Sequence, residues 1–250
     1  MASFSEEFYK KQPNNNFMKK LLVLLLLLSG TTLKAQDQNS LEKHYQAFYK
    51  QMRAQGDISG IIQALTHLNV IAPNTARRDT LAYIYSSNNQ HMQALNLLGI
   101  ERLDEDSDLA VQVKAVSLKA IEQPKRALEH FEELAKRNPS AYLLYEVSDL
   151  KIVTGDNSGA MVTIKEGQAL TKADMKYAFY ERQQPYEVAL KSAFFHLEAL
   201  VIYNTDKNRI KEAIALIDRA LVLSPNFNLA SLSKQALESR LVVPEETPKD

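Results

Sequence analysis

An internal period governs this sequence. Between Pro124 and Pro139 the chain reads PKRALEHFEELAKRNP, in which Ala127, Leu128, Phe131, Leu134 and Ala135 form one apolar stripe at helical spacing. Pro124 suits the first turn of a helix, where its missing N–H costs nothing, and Asn138 with Pro139 stops it. Glu132 and Lys136, like Glu133 and Arg137, stand four apart, so the outer face reads as solvated and weakly self-paired. The spacing Ala127, Phe131, Pro139 returns as Ala213, Ile217, Pro225 and, with a bulkier first residue, as Ile61, Leu65, Pro73. Ala94 with Leu98 and Ala160 with Ile164 are copies without the proline. Ile61, Ala94, Ala127 and Ala160 follow one another at intervals of 33 residues, and Ala213 comes 53 further on. One helix pair cannot bury its apolar face alone, whereas stacked pairs can, so such a period implies a helical array.

A second helical pattern precedes each copy, as Leu81, Ala82 and Tyr85 precede Ala94. Gln55-Gly56-Asp57 and Thr154-Gly155-Asp156 make turns between paired helices. Together these residues resemble the tetratricopeptide repeat, a helix-turn-helix unit whose pattern ends in A-x3-F and a proline. The resemblance covers about residues 41–226 and implies an all-α, helix-turn-helix repeat solenoid with a C-terminal capping helix. The units fall at about 42–74, 75–107, 108–140, 141–173 and 194–226. This chain departs from the family pattern in three ways: no Trp opens a unit, Ile61 replaces the usual alanine, and units two and four lack the proline. Altered packing angles are expected at those two units.

Residues 174–193 interrupt the period and contain Tyr177, Phe179, Tyr180 and Tyr186. Thr171-Lys172-Ala173-Asp174 resembles a helix start, and Pro185 suits the first turn of a helix running to about Tyr203. The expectation is one extra short helix, a lengthened first helix for the last unit, and negligible strand. Leu229, Leu232, Ala236, Leu237 and Leu241 support a capping helix over 227–241, and residues 242–250 read as a flexible tail.

Residues 1–35 read as a polar preamble and an address. Met18-Lys19-Lys20 precedes the eight apolar residues Leu21 to Leu28, and Ser29-Gly30 and Ala35 supply small residues before a cut. A spanning helix needs about 20 apolar residues, so a cleavable export signal starting at Met18 and cut near Ala35 is expected. That places the mature chain in the periplasm or outside the cell, with no stable membrane insertion after cleavage. Its loss removes five lysines and two glutamates, leaving 25 basic and 28 acidic side chains.

With such a balance no basic excess points to nucleic acid. Cysteine is absent, which removes thiolate metal sites, thiol nucleophiles and acylated-cysteine anchors together. Neither GxGxxG nor GxxxxGK occurs. The histidines at positions 44, 67, 91, 130 and 196 lack metal-ligand spacing and read as surface or half-buried residues. Asp104, Asp106 and Asp108 open like a calcium loop, but Leu109 and Ala115 stand where glycine and glutamate are needed. They read as an acidic turn before a helix. No cofactor and no enzyme activity is expected.

The resemblance implies that first helices of successive units line a groove. By spacing the groove residues are Lys43, Gln46 and Lys50, then Asp79 and Tyr83, then Gln112 and Lys119, then Tyr142, Tyr145 and Asp149. Tyr83, Lys119, Tyr142, Tyr145 and Asp149 are the candidate contacts for a protein or peptide partner, since tyrosine offers large contact area at little cost in rotamer entropy. Tyr177, Phe179 and Tyr180 could extend that surface; the other reading is that the tyrosines pack the insertion onto the repeats. An interaction scaffold, with a role in assembling an envelope complex, leads over a client-holding chaperone and over an enzyme.

Overall fold

The residues that recur in the sequence are the ones withdrawn from solvent. In the computed structural model, which describes residues 37–242, Ala94, Ala127, Ala160 and Ala213 are fully buried, as are Ile164 and Ile217, with Leu65, Leu98 and Phe131 nearly so. A methyl group at each crossing lets two helix axes approach closely, which is why the small residue repeats. The export-signal reading of residues 1–35 and the tail reading of 243–250 lie outside the described residues.

The chain forms two compact units that divide between Arg78 and Asp79. In the first, α1 (37–55) packs on α2 (Ile58–Ile71). Asp57 caps α2 by accepting from the Gly60 N–H at 2.9 Å. A Cβ on Gly60 would fall 2.3 Å from Met52 Sδ, so a larger residue there would displace the Met52 side chain that packs across the two helices. Tyr45 and His67 stack with ring centroids 4.3 Å apart. Helix α3 (Thr75–Ser87) begins in this unit.

The second unit continues α3 into α4 (His91–Leu98), α5 (Asp108–Ala120), α6 (Pro124–Arg137), α7 (Ala141–Thr154) and α8 (Asn157–Leu170), then α9 (Leu190–Thr205), α10 (Ile210–Leu223) and the terminal α11 (Asn228–Val242). Three apolar clusters run along it. Ala82, Ala94, Leu98, Ala110 and Val113 make the first; Val111, Leu118, Phe131 and Leu150 belong to the second; Ile164, Phe194, Ile217 and Phe227 belong to the third. Ser107, Ser140 and Asp156 accept from the backbone N–H of Ala110, Leu143 and Gly159 and so start α5, α7 and α8.

The turn between paired helices carries the period too. Gly56, Asn89, Glu122 and Gly155 lie at 33-residue steps and all have left-handed backbones, with φ of 69°, 59°, 59° and 90°. Glycine takes this conformation freely; asparagine tolerates it and glutamate bears strain.

One expectation fails here. The extra short helix is absent: Lys176–Phe179 (β1) and Tyr186–Ala189 (β2) form an antiparallel hairpin in its place, and the lengthened helix α9 begins at Leu190 and not near Pro185. Phe179 on one strand and Val188 on the other are buried between more exposed neighbours, as in a sheet with one covered face, and Pro185 lies in the hairpin loop. The acidic turn before α5 is present, and it also carries a buried ion pair. Asp106 is buried, its Oδ2 accepts from Lys114 Nζ at 2.6 Å, and that Nζ also donates to the Glu101 carbonyl at 2.8 Å. Lys114 is fully buried within α5. Arg137 donates to the Asp106 carbonyl at 2.8 Å, so residues 100–107 are fastened to both α5 and α6.

Candidate functional site

In the second unit α5, α7 and α9, the start of α11 and β1 enclose a cleft of about 290 Å³. Its polar wall is a triad of charges. Lys119 on α5 reaches across to α7 and meets Glu146 Oε2 at 2.6 Å and Asp149 Oδ2 at 3.1 Å. Burial would lower the Lys119 ammonium, but Glu146 and then Asp149 hold it above its ordinary value. The Tyr177 hydroxyl donates to the second oxygen of Glu146. Burial, followed by the Glu146 charge, pushes that phenol up, so it remains a donor.

The other walls are aromatic and apolar. Tyr145 lies 4.3 Å from Tyr177, centroid to centroid, and meets Phe194 edge-on at 5.6 Å. Phe179 packs on Phe227 at 4.9 Å. Tyr180, at the end of β1, leaves 74 % of its surface in solvent. Leu197, Leu200 and Leu229 close the remaining side. His196 also lines the cleft; its Nε2 lies 2.8 Å from Ser233 Oγ and ties α9 to α11. Burial pushes its pKa down to about 4, so the ring is neutral at physiological pH. Among the described residues no carboxylate bonds its other ring nitrogen, and the pair lacks the third member that would orient a base for nucleophilic chemistry.

Of the candidate contacts, the structure brings Lys119, Tyr145 and Asp149 together in this cleft. Tyr83 and Tyr142 are 48 % and 42 % exposed and lie outside it. Tyr145 is 4 % exposed and serves first to pack the hairpin onto α7. Asp79 does not face a groove: it is buried and accepts from Ser107 Oγ at 2.6 Å. Gln112 is exposed, and in the first unit Gln46 and Lys50 border a separate hollow with Tyr49 and Arg53, while Lys43 is exposed. Sequence reasoning missed Glu146 and His196. Glu146 lies one helical turn from Tyr142 and between Tyr145 and Asp149, a position that could have signalled it. The expectation of surface or half-buried histidines fails for His130 and His196. Each fills a gap between helices, and His130 Nε2 meets the Ile100 carbonyl at 2.9 Å. Among the described residues, no three His, Asp or Glu gather as a metal would require, and no helix is long and apolar enough to cross a membrane.

No protein-family model matches the chain, and a search of curated proteins finds no match. Solved structures do match. YrrB, described as a TPR protein with an unusual peptide-binding site, aligns with a TM-score of 0.59 at 14 % identity over 76 % of this chain and 90 % of its own. A MamA protein aligns with a TM-score of 0.57 at 15 % identity, over 82 % of this chain and 98 % of its own. A second MamA structure gives 0.53 at 16 % identity, over 77 % and 96 %. At such identities the likeness concerns the backbone alone, and by fold this chain is a tetratricopeptide-like helical repeat protein.

Proposed function

We propose that this chain is an exported, non-enzymatic scaffold that binds a peptide segment of a partner protein in the cleft between α5, α7, α9 and β1, and that it serves the assembly of an envelope complex. The observation that carries the binding reading is the cleft itself. It offers the exposed ring of Tyr180 and the half-buried Tyr177 beside the fixed charges of Lys119, Glu146 and Asp149. Binding sites of this kind join apolar area to a few placed polar groups. The peptide-binding site of YrrB supports it by likeness of fold.

A photo-crosslinking side chain at Tyr180 tests the reading, with one at Val222, 81 % exposed on α10, as control. A single stoichiometric product from Tyr180 alone is expected in the native envelope. Equal products from both positions with many proteins would favour the client-holding chaperone, and none at all would sink the scaffold. Export has its own test: N-terminal sequencing of the protein recovered from the envelope should begin near Gln36, and an intact Met18 would contradict cleavage.

A further inference from the structure

The hairpin that interrupts the repeats has one edge tied down and one left open. Leu190 N–H donates to the Met175 carbonyl at 2.9 Å, and the register sets Tyr177 opposite Val188 and Phe179 opposite Tyr186. Hydrogen-bonded pairs alternate along an antiparallel ladder, so Tyr177 and Phe179 turn their backbone groups toward β2, while Lys176 and Ala178 turn theirs away. On β2 the outward groups are occupied: the Glu187 carbonyl accepts from Asn226 Nδ2 at 3.0 Å, and Ala189 N–H donates to Ser224 Oγ at 3.0 Å. On β1 the outward N–H and C=O of Lys176 and Ala178 meet no group of the protein among the described residues. Such a row of unpaired groups is a template for another strand.

The open edge lies where a ligand would be held. Tyr177, Ala178 and Phe179 of β1 and the next residue, Tyr180, line the cleft, whereas no residue of β2 does. The hairpin is braced from behind, because Tyr177 bonds Glu146 and Phe179 packs on Phe227, so the edge is preformed. Lys119 with Glu146 and Asp149 leaves one negative charge in excess at this wall, and the neutral His196 adds none. A basic side chain complements that excess, and the exposed ring of Tyr180 suits a cation.

Resting on the peptide-binding reading above, we propose that the outer edge of β1 accepts an extended segment of the partner as a third strand, with a Lys or Arg side chain directed at Asp149. Main-chain bonds to Lys176 and Ala178 supply the pairing and the charged wall supplies the selectivity.

The test uses the whole chain and pools of acetylated, amidated peptides about seven residues long, a usual strand length, fixed at the centre as Lys, Arg, Glu or Leu and randomised elsewhere. The Lys and Arg pools should be retained at least about tenfold over the Glu and Leu pools, and Asp149→Asn should erase that preference. Hydrogen exchange at the Ala178 and Lys176 amides should slow on binding. Ala178→Pro removes only an outward N–H, leaves the β1–β2 ladder intact, and should weaken retention about tenfold or more at an unchanged melting temperature. Retention of peptides with the Ala178 amide unprotected, or undiminished in Ala178→Pro, would overturn strand addition while leaving the cleft a binding site. Preference for the Glu or Leu pool would overturn the basic partner. If no pool is retained the proposal fails, and the Tyr180 crosslink then decides whether the scaffold reading fails with it.

Discussion

Lys114→Met keeps the stem of a fully buried side chain and deletes its ammonium, and the structure sets the consequence. Two bonds disappear, the 2.6 Å contact to Asp106 Oδ2 and the 2.8 Å bond to the Glu101 carbonyl. Asp106, with 2 % of its side chain exposed, retains only the Leu103 N–H at 3.1 Å on the same oxygen. Stripping one partner from a buried pair costs about 3–5 kcal/mol, because the remaining charge is left uncompensated. For a chain of this size each kcal/mol moves the melting temperature by about 2–4 °C, so a fall of roughly 6–20 °C is expected. Circular dichroism during heating reads it. The double variant Lys114→Met with Asp106→Leu removes the stranded charge and should regain most of the loss, since apolar replacement of a whole buried pair is often neutral. A single variant melting within about 2 °C of the parent, or a double variant worse than the single, would refute the reasoning.

Three further outcomes are expected. Ala127→Asp, at a fully buried crossing, should cost several kcal/mol (about 3–5), whereas Glu132→Ala on the exposed side of α6 should stay within about 1 kcal/mol, although its 3.1 Å pair with Lys151 is lost; equal urea midpoints would contradict the seam. Tyr145→Ala should destabilise by about 3–5 kcal/mol through lost packing on Tyr177 and Phe194, while the half-exposed Tyr142→Ala should leave stability nearly unchanged, and the reverse order in calorimetry would overturn the assignment. His196 titrates from 6.5 in the unfolded chain to about 4 in the folded one. A depressed value means stability present above the unfolded pKa and lost as pH falls toward 4, about 2 kcal/mol at pH 5. Urea unfolding at pH 7 and 5 should therefore differ less in His196→Gln, and an unchanged difference would exclude His196 as the titrating group.

The helical repeat was legible because one steric requirement, a small residue beside a large apolar one at each crossing, leaves its mark every 33 residues from Ala94 to Ala160. The hairpin was not, because each strand has only four residues and the alternation of Tyr177 with Phe179 spans a single repeat of a two-residue period. Pro185 and the polar run before Asp174 imitate helix starts, and only the tertiary cover offered by Tyr145 and Phe227 decides for strand. Lys114 lies inside the apolar stripe of α5, eight residues after Asp106, and a lysine among Val111, Ala115 and Leu118 is the local inconsistency that could have announced a buried pair. Lys119 and Asp149 could be placed near one another from the sequence because first helices share a face. Glu146 and His196 were missed because the cleft exists only once the hairpin supplies its far wall.

The hairpin also changes how this array should come apart. In a linear array each repeat touches only its neighbours, so opening proceeds unit by unit from an end. Here Phe179 touches Tyr145 of the fourth unit and Phe227 ahead of the terminal helix, so a link of side chains bypasses the fifth unit. The terminal helix cannot peel away without uncovering the hairpin, and the hairpin cannot lift without exposing α7. Slowly exchanging amides of α7, α9, α10 and α11 should therefore share one opening free energy in native-state exchange, a single cooperative block where an uninterrupted array would show a graded series.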